Sequence, residues 1–87
     1  MKPEPGISGY PTQPLGEQGE YELREVSFAL PPPALRDIAR FLVSVAGEMD
    51  KGPQGMYWHR HIYQYVKDWR GKFPDIDVVV GDLRTYS

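Results

Sequence analysis

The chain has 87 residues, no cysteine, and 10 basic against 12 acidic side chains, for a net charge of −2. That length supports one small domain, and the acidic balance argues against a generic basic nucleic-acid binder. The missing cysteines exclude a disulfide framework, a thiolate zinc site and a cysteine nucleophile.

No apolar run approaches the roughly 18–20 residues of a membrane span. The N-terminus has no signal-peptide core. A soluble, cytoplasmic protein with no membrane partner is therefore expected.

The first twenty residues hold four prolines and four glycines. Such composition cannot build a helix or a central strand. Residues 1–20 are expected as an extended or flexible N-terminal arm, with Tyr10 available to pack on the domain or on a partner. Residues 21–87 are expected as a compact α+β domain.

Residues 21–30 read as a strand, because Val26, Phe28 and Leu30 alternate with Glu25, Ser27 and Ala29. Tyr21 and Leu23 fall on the opposite phase. Either a bulge lies near Arg24 or the regular strand starts after it.

Pro31, Pro32 and Pro33 end the strand, and proline suits a first helical turn. A helix is predicted from about Pro33 to Met49. Its apolar stripe is Leu35, Ile38, Ala39, Leu42, Val43 and Ala46, widened by Phe41 and Val45. Residues 50–55 are a loop by their glycine and proline content.

Residues 56–70 carry Trp58, Ile62, Tyr65, Val66 and Trp69 at helical spacing, with Gly71 at a C-cap position. A helix is expected there, with a short strand over 56–63 as the competing reading. Ile76 to Val80 read as a second strand, and its three valines suggest burial on both faces. The outline is a strand–helix–helix–strand core. Two strands make a poor sheet, so the leader, residues 56–62 or a second chain should supply more. The expected core is Val26, Phe28, Leu30, Leu35, Ile38, Leu42, Val43, Ala46, Ile62, Val66, Trp69, Ile76, Val78 and Val80.

His59 and His61 form the one histidine pair. On a strand they would share a face and could hold a metal, with Asp75 or Asp77 as a carboxylate. On a helix they would lie about 200° apart and could not. The simpler reading is two ordinary surface histidines, with no metal and no cofactor. On the helical reading, His59, Tyr63, Lys67 and Arg70 line one stripe, with Arg60 at its margin. Such a face can anchor a protein through Tyr and Arg, or hold phosphates and stack bases. The net charge favours protein. Trp58, Tyr65 and Trp69 are expected in the core, and Tyr57 and Tyr63 at the surface. No nucleophile–base pair, phosphate loop or dinucleotide fingerprint is present, so no enzyme is expected.

From Val26 to Val80 the chain resembles bacterial polymorphic-toxin immunity proteins, specifically immunity protein family 32. The resembling features are a strand leading into ALRDIARFLVSVAGEM, a central HRH segment and a closing DIDVVV strand. The resemblance implies a non-enzymatic protein that binds and neutralises a cognate toxin, with no catalytic signature to carry over. The expected partner-binding face comprises Tyr57, His59, Arg60, Tyr63, Lys67 and Arg70. The alternative is a small nucleic-acid-binding regulator using the stripe over residues 57–70. A homodimer is also expected, because strands are few and the valine run needs cover.

Overall fold

The computed structural model describes residues 4–14, 21–55 and 57–82. These form an α+β structure in two compact units, residues 1–31 and 32–87. The division falls after Pro31, eleven residues beyond the expected end of the arm.

In the first unit, β1 (Gly6–Pro14) pairs antiparallel with β2 (Tyr21–Ala29). The leader thus supplies a strand, and a two-stranded sheet has no central position for its prolines to disrupt. Tyr10 pairs with Glu25 and Pro11 with Leu23, which leaves Arg24 as the extra residue of a bulge. That bulge explains why the alternation of β2 changes phase there. Opposed residues share a face, so Ile7 and Phe28, and Gly9 and Val26, line one side. Leu23 crowds the same side. A Cβ on Gly9 would stand 2.7 Å from Leu23 Cδ1 and 2.6 Å from the Glu25 carbonyl oxygen. Ser8, Ser27, Tyr10 and Glu25 take the other side, where the Arg24 guanidinium lies over the Tyr10 ring at 5.5 Å. Val26 and Phe28, expected in the core, are exposed.

The second unit opens with α1 (Pro32–Met49). Its buried side chains are Ala34, Ile38, Phe41 and Val45. The expected stripe is therefore rotated. Ile38 belongs to both stripes, but Leu35, Leu42, Val43 and Ala46 are exposed, Val43 to 74%. Apolar residues occupy more than half the helix circumference, so periodicity alone leaves the phase open. The bulky Phe41 decides it by packing edge-on against Tyr65, with ring centroids 5.2 Å apart. The helix ends in turns from Asp50 to Gly52, where Gly52 takes φ 129°.

The helix expected over 56–70 is not formed. Gly55, at φ 109°, precedes β3 (His59–His61), a 3₁₀ turn over Ile62–Gln64, and the one-turn α2 (Trp69–Lys72). Asp68 sits left-handed at φ 63°, which interrupts any continuous helix. Strand pairing wins because β3 gives β4 (Val79–Gly81) its partner, with Arg60 opposite Val80. An isolated helix of this length is marginal in water. Of the competing short strand over 56–63, His59–His61 form a strand and Ile62 begins the 3₁₀ turn.

Ile62 and Trp69 are fully buried and organise the segment. The Ile62 amide donates to the Val78 carbonyl at 2.9 Å, and Trp69 Nε1–H donates to the Ile76 carbonyl at 2.8 Å. Leu30, Val66, Ile76, Val78 and Val80 are half-buried, while Val79 is exposed, so the valine run is not covered on both faces. Asp82 is buried, and its Oδ2 accepts the Gln54 amide at 3.2 Å. That bond ties the end of β4 to the loop after α1. Among the described residues, no helix is long and apolar enough to cross a membrane.

Candidate functional site

The strand conformation of β3 sorts its side chains by parity. His59 and His61 fall on one side and Arg60 on the other. This separates the sequence-derived face into three places.

The first place is a run of stacked rings. His59 and His61 meet edge-to-face with centroids 5.0 Å apart. His61 stacks on Tyr63 at 4.9 Å and 26°. The Arg70 guanidinium carbon lies 3.4 Å from the Tyr63 centroid. Both imidazoles are oriented through Nδ1. His59 Nδ1 lies 2.9 Å from the Tyr57 carbonyl oxygen, and His61 Nδ1 lies 2.6 Å from Asp77 Oδ2. With Nδ1–H donated in this way, Nε2 is the remaining polar atom of each ring. The 3₁₀ turn carries Tyr63 back beside His61, and the His61 amide donates to Gln64 Oε1 at 2.8 Å to fix that turn. Tyr57 stands beside this run and is 86% exposed.

The second place is a staple between α1 and β3. Arg60 Nε donates to Glu48 Oε1 at 3.2 Å, and its guanidinium covers the Trp58 ring at 4.6 Å. The Tyr65 hydroxyl donates to the other Glu48 oxygen. The Tyr65 bond, with Arg60 behind it, holds the Glu48 carboxyl below its ordinary value. Removal of the Tyr65 hydroxyl from water, and its bond to Glu48, push the phenol above its ordinary value. Arg60 is therefore occupied in holding the fold. Trp58 is half-buried, and its Nε1–H is buried with no hydrogen-bond partner among the described residues.

The third place is an open recess of about 480 Å³ lined by Lys67, Lys72, Arg40, Asp37, Ser44, Phe41, Tyr65 and Val66. Lys67 lines this recess, and Arg40 pairs there with Asp37. Of the six expected face residues, the ring contacts join His59, Tyr63 and Arg70, with Tyr57 adjacent. Arg60 and Lys67 have their contacts elsewhere.

The expected face omits His61 and Asp77, which sit at the middle of the stacked run. Their signal was the i, i+2 histidine spacing, which acquires meaning only on a strand. A carboxylate-oriented imidazole can act as a proton acceptor or a hydrogen-bonding anchor. Among the described residues, no group of three or more His, Cys, Asp or Glu side chains is placed to hold a metal ion. The arrangement presents flat aromatic surface, one guanidinium already seated on a ring, and two oriented imidazole nitrogens. No protein family, curated protein or solved structure matches this chain.

Proposed function

We propose that the chain is a non-enzymatic protein-binding module that works as an immunity-type protein, neutralising a cognate toxin by occupying it. The observation that carries this reading is the run His59–His61–Tyr63–Arg70 beside the exposed Tyr57. Tyrosine and arginine are the side chains that most often dominate protein–protein binding energy. Here the arginine is already seated against the tyrosine, so less side-chain freedom is lost on docking. The complementary surface on the partner is acidic and flat enough to lie against the rings. Resemblance to immunity proteins over Val26–Val80 supports the toxin as that partner.

Stacked rings with a guanidinium also suit bases and phosphates, which supports a nucleic-acid-binding regulator as the second reading. The net charge of −2 weighs against it. Capture of partners on the tagged chain separates the two. The toxin reading expects a stoichiometric protein whose toxic activity the chain blocks, with loss of capture in a Tyr63→Ala/Arg70→Glu variant. Bound material that absorbs at 260 nm and is removed by nuclease or salt would replace it with the second.

A further inference from the structure

The two edges of the β1–β2 ribbon are unlike. Strand β1 carries Pro11 and Pro14, and Pro5 precedes it. Each proline removes an N–H from its strand, which is how natural proteins blunt a sheet edge. Strand β2, nine residues long, contains no proline and, among the described residues, pairs with β1 alone. The bulge at Arg24 leaves residues 25–29 as an unbroken regular run. One face of the ribbon is apolar, yet Val26 and Phe28 remain exposed on it. Two strands are marginal as an independent sheet, whereas three or more with an apolar face are not.

We infer that β2 pairs antiparallel, edge to edge, with β2 of a second copy of this chain, centred on Ser27. Of the registers whose two-fold axis falls within residues 25–29, only the one centred on Ser27 opposes all five of them to one another. Centring on Glu25 sets two carboxylates against each other, which is unfavourable. Centring on Val26 sets Arg24 opposite Phe28. Centring on Ser27 sets Val26 opposite the second copy's Phe28, Glu25 opposite its Ala29, and Ser27 opposite its own copy. A β-branched residue facing an aromatic is a stabilising cross-strand pair.

This register also joins the apolar faces. A row across the four strands reads Ile7, Phe28, the second copy's Val26 and the second copy's Gly9. The symmetric row repeats it in reverse. The polar face aligns Ser8 and Ser27 with their copies. The four strands thus form one sheet with a single apolar side, from ribbons that are each too narrow alone. The inference does not depend on the identity of any binding partner.

Ser27 supplies the test. Directly opposed residues in an antiparallel pair have Cα atoms about 4.5–5.5 Å apart, within disulfide range. The full chain should scatter light at twice 10.0 kDa. Ser27→Cys should oxidise to a covalent dimer far faster than Ser8→Cys, which lies on the outer strand. Ser27→Asp opposes two carboxylates and should raise the dimer dissociation constant about fivefold, while Ser8→Asp should not. Circular dichroism confirms that each variant keeps its fold. A wild-type chain that stays at 10.0 kDa at its solubility limit would overturn the inference. So would a dimer in which Ser27→Cys cross-links no faster than Ser8→Cys. A monomer whose β2 edge instead accepts a strand from another protein would overturn it as well.

Discussion

The guanidinium of Arg70 rests on the ring of Tyr63, 3.4 Å from its centroid, and that ring in turn stacks on His61, which Asp77 holds. Two binding-competent side chains thus support one another, seven residues apart in sequence. Tyr63→Ala should remove the platform under Arg70 and the stacking surface for His61 together. Affinity for the captured protein partner should fall by about tenfold to thirtyfold, or roughly 1.4–2 kcal/mol. Tyr63→Phe keeps the ring and should retain most of the affinity. Titration calorimetry with both variants reads this difference directly.

Helix α1 buries Phe41 to 1% exposure and leaves Val43 at 74%. Phe41→Ala should destabilise the fold by about 3–5 kcal/mol, the cost of a vacated aromatic site. Val43→Ala should change stability by about 0.5 kcal/mol or less. Urea denaturation of both variants checks the rotational phase of the helix. Equal effects would show that the helix faces the core along the Leu35–Leu42 stripe instead.

Glu48 joins Tyr65 and Arg60 to α1. Its carboxyl is held below the ordinary value of 4.5 by the Tyr65 bond first and by Arg60 after it. A carboxyl depressed in the folded state contributes stability that is present above the unfolded value and lost as pH falls through the folded one. Thermal stability should therefore decline on acidification below pH 4.5 more steeply for wild type than for Glu48→Gln. Tyr65 shifts the other way, upward from 10.0, through its burial first and Glu48 second. Its contribution is present below pH 10.0 and lost as pH rises through the folded value. Tyr65→Phe should flatten that alkaline limb. Melting curves across both limbs check the two signs.

Gly52 and Gly55 take φ values of 129° and 109°, which side-chain-bearing residues rarely adopt. A Cβ at either position meets no atom within 4 Å. The cost of Gly52→Ala or Gly55→Ala is therefore backbone strain alone, about 1–3 kcal/mol each. Gly47, inside α1, also has open space around it but lacks a positive φ. Gly47→Ala should stabilise by about 0.5–1 kcal/mol. Opposite signs in denaturation midpoints would confirm the backbone account.

The α+β class, the helix between the proline run and Met49, and the bulge at Arg24 were legible because each follows from local chemistry. Proline punctuates, and a phase change in alternation marks an extra residue. The segment over 56–70 departs from its helical spacing for a physical reason. Trp58, Ile62, Tyr65, Val66 and Trp69 recur at helical spacing, but the chain runs through a strand, a 3₁₀ turn and one α-turn. These bury Ile62 and Trp69, leave Trp58 and Val66 half-buried and leave Tyr65, expected in the core, exposed. The left-handed Asp68 that breaks the run has no unambiguous sequence signal. The phase of α1 depends on the Phe41–Tyr65 packing, a contact 24 residues apart that periodicity does not encode. The site was half legible for the same reason. Tyr63 and Arg70 stood out as residue types, whereas the place of His61 and Asp77 depends on β3 being a strand.

The most direct test of the binding account uses the tagged full chain and its Tyr63→Ala/Arg70→Glu variant side by side. Each is used to capture partners from the source cells, and the captured protein is assayed for toxic activity with and without added chain. The account predicts a stoichiometric toxic protein on the wild-type chain, inhibited by it, and absent from the variant. A toxic protein captured and inhibited equally by the folded variant would contradict the assignment of the stacked face. Nuclease-sensitive nucleic acid in place of any protein would contradict the immunity-type function itself.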